Sequence, residues 1–404
     1  MIYLNHAGTS WPKAPPVAEA MARALAESPL EWGARFGEAH SKIGSFFGIE
    51  DVSRLLLTPA CTSALSVGVA DHAWGAGESV VLSGLEHHAL HRPALALAER
   101  GVRVEIVPRS TEGPFSLEGL EACLRKGGVR LVAMTAASNV TGEMLPYREA
   151  AALARQYEAL FLLDAAQGAG WVDLDMREGW ADLMAFAGHK GLNGPWGIGG
   201  LYVAPGVVMA SPAAQCEVPA ARGGVGGTGA SGAAASGAAA SGAAARGVVA
   251  RGAAASGVAA PRGCSAMPGY CDVGSVDRAA LAGLAGAVEW LSLPGQAERL
   301  GRARGRIRRL REGLSEMRGV RLIGSGKIEE SMPVAAFTVE GRSPSEIANG
   351  LAARGVVAGG GLFCAPLAHE TMGTAPDGVV RMSAGATTTE EDIEQAIAAL
   401  TALV

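Results

Sequence analysis

The chain has 404 residues, 49% hydrophobic and 18% charged, with a formal net charge of −5. That length supports two or three domains with a large buried core, and the mild negative charge without any Lys/Arg run argues against an electrostatic nucleic-acid footprint. No spanning helix is expected, because no stretch of about 18 strongly apolar residues occurs. No signal peptide is expected either: MIYLNHAGTSWPK lacks a basic segment followed by an apolar one. The six cysteines (Cys61, Cys123, Cys216, Cys264, Cys271, Cys364) are scattered without CxxC or metal-type spacing. Such usage fits a reduced, cytoplasmic chain in which a thiol is free for chemistry.

The first dozen residues, with NHAGTSWPKAPP, predict an extended arm. From Arg54 to Val203 short apolar runs alternate with longer amphipathic ones: SRLLLT, then TSALSVGVADHAW; SVVLSG, then HALHRPALALAER; VRVEIV, then SLEGLEACLRK; RLVAMT, then YREAAALARQYEA; then LFLLDA, ADLMAF and GIGGLYV. Unbroken apolar runs suit strands buried on both faces, and the repetition predicts an open, mostly parallel α/β sheet. In such a sheet the ligand site lies beyond the carboxyl ends of the strands. Residues 222–263 repeat GAAAS-like units and carry no large apolar side chain, so they read as a low-complexity insertion without a packed core. Beyond it, helix- and strand-like segments resume as a smaller α+β unit, with Thr389 as N-cap of the last helix and a break near Leu293–Pro294–Gly295.

Two strand ends carry the chemistry. LFLLD delivers Asp164, followed by Gln167, and ADLMAF leads through AGHK to Lys190. If these strands are parallel, the carboxylate and the amine emerge on one sheet edge. An amine that forms an imine beside a carboxylate that protonates a pyridine nitrogen is what pyridoxal phosphate requires. LLLTPACTSAL adds a strand, a turn and a helix start near Cys61–Thr62, where backbone N–H groups could hold a phosphate. His189 could donate to the same phosphate. His87 could lie over the ring and shuttle a proton.

Taken together, YLNHAGTSWPK, LTPACTSAL, SGLEHHAL, ASNVTGEMLP, LLDAAQGAG, FAGHKGLNGPWGIGGLYV, GGTG, GLFCAPLAHETMGT and VVRMSAG resemble the aminotransferase class V branch of fold-type I pyridoxal-phosphate enzymes, most like cysteine desulfurases and selenocysteine lyases. The resemblance implies an arm at 1–16 joining the small domain, a large cofactor-binding domain at 17–293 with a mostly parallel seven-stranded sheet, and a small domain at 294–404 carrying the cysteine loop. It implies Lys190 as Schiff-base lysine, Asp164 on the pyridine nitrogen, Gln167 on the ring hydroxyl and His87 stacked on the ring. Thr62, the Cys61 backbone and His189 match phosphate contacts. Ser275, in DVGSVD, matches a residue that crosses into a partner's phosphate site in a homodimer. Asn139 matches an amide near both the substrate carboxylate and the cofactor ring, Arg381 the arginine that grips the substrate carboxylate, and Cys364 the nucleophile that becomes a persulfide. The chain departs from the family pattern at Ala187, at Phe363, and at Gly359–Gly361, where an arginine is common.

These expectations describe a desulfurase that turns L-cysteine into L-alanine and hands sulfur to an acceptor, with His87 taking the Cys364 proton and Gly359–Gly361 letting the cysteine loop swing. The rivals are another enzyme of the same cofactor (aminotransferase, C–S lyase, selenocysteine lyase, epimerase) and a non-catalytic scaffold on this fold.

Overall fold

The computed structural model describes residues 1–110, 113–209, 276–296 and 298–404. The insertion at 222–263, the GGTG stretch and Ser275 lie outside the described residues. Strand β1 (Ile2–Tyr3) is followed by helices α1 (Pro16–Ala26) and α2 (Trp32–Phe46). Then come β2 (Leu55–Thr58), β3 (Ser79–Ser83), β4 (Arg103–Val107), β5 (Val129–Thr135), β6 (Leu160–Asp164), β7 (Leu183–Ala187) and β8 (Gly199–Val203), which form one seven-stranded sheet of order β2-β8-β7-β6-β5-β3-β4. Neighbours from β7 across to β4 are parallel, whereas β8 runs antiparallel to both β7 and β2.

Strands β3, β6 and β7 are buried along their whole length. Their unbroken apolar sequences are the physical counterpart of a sheet covered on both faces. The crossovers include α3 (Cys61–Ala70), α4 (His88–Ala96), α5 (Leu117–Arg125) and α6 (Tyr147–Gln156). A side chain at position 199 would come within 2.5 Å of the Phe186 carbonyl and 2.9 Å of the Cys61 nitrogen. Gly199 therefore lets β8 lie close against both β7 and the start of α3, the two elements that bring Lys190 and Cys61 to the site.

Helix α7 (Arg278–Leu291) packs on α1 and α2. Helix α8 (Arg299–Ser315) begins a second layer, and the boundary we propose at 293–295 lies in the connection between them. There β9 (Val320–Ile323), β10 (Val334–Val339), β12 (Gly359–Gly361) and β13 (Val379–Ser383) make an antiparallel sheet of order β12-β13-β10-β9. It shares a core with α8, α9 (Pro344–Ala352) and α11 (Glu390–Thr401), whose Ile307, Leu310, Ile347, Leu351, Ile393 and Leu400 are buried with Phe337. Thr389 caps α11 in a capping box with Asp392, as its sequence predicts. The short β11 (Val356–Val357) pairs in parallel with β1, which ties the amino-terminal arm to this second layer.

One local expectation is corrected. Gly359–Gly361 do not form a free hinge: they are strand β12, hydrogen-bonded to β13. The unusual backbone begins at the strand's last residue, Gly361 (φ 123°), and continues just beyond it at Phe363 (φ 50°) and Cys364 (φ 55°). α10 (Pro366–Met372) follows at once.

Candidate active site

Beyond the carboxyl ends of β6 and β7 lies a cavity of about 340 Å³, within the range of small-molecule sites. Cys61, Thr62, His87, Asn139, Asp164, Gln167, His189, Lys190, Cys364 and Arg381 all line it. Ten of the eleven site residues expected from sequence thus converge, and the eleventh, Ser275, falls outside the described residues. The convergence follows from register. β6 and β7 are parallel, with Asp164 beside Ala185, so both chains leave the sheet on the same edge. A larger cavity of about 840 Å³ opens near Leu160, at the other end of β6, and lacks the paired lysine and carboxylate.

Asp164 is buried. Its Oδ1 accepts from the Ala166 N–H at 2.9 Å and faces the Cys61 thiol at 3.7 Å. Burial pushes this carboxyl above its usual range, opposed by the Ala166 amide and by the charge of Lys190. Burial likewise lowers the Lys190 amine and raises the Cys61 thiol well above its ordinary value. Cys61 was expected to act through its backbone; its thiol is in addition a neighbour of Asp164.

His87 is the N-cap of α4, and its Nδ1 accepts from the Ala89 N–H at 3.0 Å. That bond places the ring hydrogen on Nε2. Burial and the nearby Lys190 lower its pKa to about 4, so the ring is neutral at pH 7. In this state His87 is a donor toward the cavity, and taking a thiol proton would require the cap bond to open. His189, also lowered to about 4 by burial and Lys190, has Nδ1 3.1 Å from the Thr9 hydroxyl. The Gln167 amide donates to the Ala7 carbonyl at 2.9 Å.

Arg381 is buried, with burial lowering its pKa to about 10. It donates from Nη1 to the Asn139 carbonyl (2.6 Å) and from Nη2 to Asn5 Oδ1 (2.9 Å). Its Nε, and Asn139 Oδ1, are buried without a hydrogen-bond partner. Both residues line the cavity, and buried polar atoms left without a partner beside it call for a ligand or a water. Cys364 is exposed, and its carbonyl accepts from the His88 N–H at 2.8 Å.

Sequence reasoning missed Glu86. It is fully buried between Ser83 and the end of β5, and its Oε1 accepts from the Ser83 hydroxyl and from the Thr135 N–H at 3.1 Å. Burial raises its pKa to about 8 despite these bonds, with Asp164 adding repulsion. The available signal was an acidic residue three positions past a wholly buried strand. Asn5 and Arg299 were also missed. Arg299 stacks on Trp171 (4.3 Å) and donates to the Gly170 and Gly191 carbonyls, so it pins the turn beside Lys190.

The layered α/β architecture, with its catalytic-looking lysine beyond the strand ends, is that of fold-type I pyridoxal-phosphate transferases. The chain belongs to the aminotransferase class-V family, whose model matches residues 13–214 and 257–396. Among solved structures, the apo cysteine desulfurase of Thermococcus onnurineus superposes with TM-score 0.81 at 24% identity, over 100% of this chain and 94% of that one. An Escherichia coli cysteine desulfurase gives 0.78 at 22%, over 98% and 93%. A probable cysteine desulfurase of Chlamydia trachomatis is 40% identical over 168 residues, 41% of each chain. One of Mycolicibacterium paratuberculosis is 26% identical over 365 residues, 89% of this chain and 47% of that. The chain spans about half the length, or less, of the curated relatives it matches.

The family's cofactor is pyridoxal phosphate, and the cavity fits it. A buried carboxyl held above its normal range would be stabilised by a further cation beside it, a lysine amine lines the same space, and α3 begins there with Cys61 and Thr62. Among the described residues no His/Cys/Asp/Glu cluster could hold a metal. No helix among them is long and apolar enough to cross a membrane.

Proposed function

We propose that this protein is a pyridoxal-phosphate-dependent cysteine desulfurase that converts L-cysteine to L-alanine and passes the sulfur to Cys364 as a persulfide. The observation that carries this reading is the meeting of Lys190, Asp164, Arg381 and an exposed Cys364 at one cavity. When bound, pyridoxal phosphate supplies an electron sink for bond changes at the substrate Cα.

The chain's residues then have distinct tasks. Lys190, whose amine burial shifts toward neutrality, holds the cofactor aldehyde and afterwards carries the Cα proton. Asp164 stabilises a protonated pyridine nitrogen. Gln167 and Asn139 would hold the ring, Asn139 the substrate as well, and His87 would bound the ring's side of the cavity. Thr62, the Cys61 N–H and His189 would hold the phosphate, with Ser275 reaching it from the second subunit of a homodimer. Arg381 offers Nε to the α-carboxylate. The Cys364 thiolate attacks the substrate sulfur: the S–S bond forms as the C–S bond breaks, its electron pair stays on carbon, and a proton delivered there completes alanine. Cytoplasmic location, a homodimer, and a separate sulfur acceptor belong to the same proposal.

The test is incubation of the purified holoprotein with L-cysteine, measuring alanine and sulfide with and without reductant. Equimolar alanine and reductant-dependent sulfide are expected. The C364S variant should lose at least about 100-fold in sulfide release, the range of a nucleophile's removal, while keeping its visible cofactor band. Wild-type sulfide production undiminished in C364S would overturn the role of Cys364. A band that borohydride does not fix to Lys190 would overturn the whole assignment.

A further inference from the structure

Phe363 sits next to Cys364 in left-handed backbone, φ 50°, a costly conformation for a bulky residue that is kept only where the surroundings impose it. Here they do. The Phe363 carbonyl accepts from the Asn139 amide at 2.9 Å, and the next carbonyl from the His88 N–H at 2.8 Å. The ring is thereby laid over the Arg381 guanidinium, 4.0 Å from Cζ to the ring centroid. Its other support is Gly359, the register partner of Arg381 across β12 and β13. A Cβ at 359 would fall 2.5 Å from Phe363 Cε1 and 3.0 Å from Cζ, so the ring has this seat only because position 359 has no side chain.

The stack limits what Arg381 can do. Both Nη atoms already donate, to Asn139 and Asn5, and the ring covers one face. Nε is left as its one nitrogen without a partner. Among the described residues lining the cavity, the other basic side chain besides the histidines is Lys190, which the cofactor would occupy.

We propose that Phe363 is a specificity-determining residue, confining the site to amino acids with one carboxylate and an uncharged or thiol side chain and rejecting those with a side-chain acid. The inference rests on the reading of Arg381 as the α-carboxylate receptor. A single carboxylate satisfies Nε. A second carboxylate on the Phe363 side would meet the apolar ring in place of the guanidinium face it covers, and the described cavity lining offers it no other free cation, so its charge would go unpaired. Removing the ring reopens the guanidinium face and admits water and the second carboxylate.

The test uses holoprotein and equilibrium binding, read as the shift of the visible cofactor band on titration with L-alanine and with L-aspartate. Wild type should prefer alanine by more than about tenfold. In F363A, and in G359A, which displaces the ring while keeping the loop sequence, the preference should shrink severalfold, mainly through tighter aspartate binding. An unmoved ratio in either folded variant, equal binding of the two amino acids by wild type, or no spectral response to either amino acid would overturn the inference. The two readings fail separately. Protein that makes no sulfide from L-cysteine but shows the ring-dependent preference loses only the desulfurase assignment. Protein that makes sulfide but shows no such dependence loses only the role of Phe363.

Discussion

Glu86 is a fully buried acid behind the site that burial favours in its neutral form, and it makes a measurable signature. Its folded-state pKa, about 8, is raised above the usual 4.5 by burial first and by Asp164 in addition. A raised acid stabilises the fold fully below pH 4.5, and this contribution is lost as pH climbs toward 8. Apo wild type should therefore lose up to a few kcal/mol of urea stability between pH 5 and 8, beyond what the E86Q variant loses. Parallel curves for the two proteins would show that Glu86 ionises normally. A neutral Glu86 also spares Asp164 a second negative charge nearby. Asp164 and Lys190 were legible in the sequence because each ends an apolar run. Glu86, Asn5 and the Cys61 thiol were not, because their partners lie 49, 376 and 103 positions away, and no local pattern encodes such contacts.

At the level of elements, the strands of the main sheet were readable from unbroken apolar runs, and α11 from its cap. The Gly359–Gly361 strand was not, since three glycines have no side-chain pattern and are held only by β13. Helices α1 and α2 were also unassigned from sequence; both depend on packing against α7, which begins more than 230 residues after them. The turn after Lys190 gains its rigidity from another element altogether. Arg299, at the start of α8, reaches across to two glycine carbonyls and stacks on Trp171. Burial lowers its pKa only to about 10, so it stays charged at neutral pH. R299M should cost about 2–4 kcal/mol in chemical denaturation, from lost charge-assisted hydrogen bonds and the cation–π contact. It should also speed cofactor loss on dilution, measured by decay of the visible band. Retained stability with unchanged cofactor release would mean that the turn holds itself.

Across the whole molecule, the two sheets are joined by a clasp. Arg109, just past β4, makes a bidentate pair with buried Glu143 at 2.7 and 2.8 Å, and Glu143 also accepts from the Ser325 N–H at 3.0 Å. Burial alone would raise the Glu143 carboxyl, but the Arg109 bond and charge outweigh it and hold it below its usual range. A depressed acid stabilises above about pH 4.5, and that support is withdrawn as pH falls through its folded value. E143Q should therefore be roughly 3–5 kcal/mol less stable at pH 7, with a shallower loss on acidification than wild type. Equal acid midpoints, read by near-UV circular dichroism, would count against the clasp.

The amino-terminal arm has a consequence for biogenesis. Its Ile2 and Tyr3 pair with Val356 and Val357, Asn5 holds Arg381, and the Ala7 N–H donates to Ser383. The arm is thus made long before its seats, which lie more than 350 positions further along the chain, a wait on the order of 20–80 s at typical elongation speeds. Until Arg381 and Ser383 have been made the nascent chain cannot close its pocket, so capture of pyridoxal phosphate should follow their synthesis.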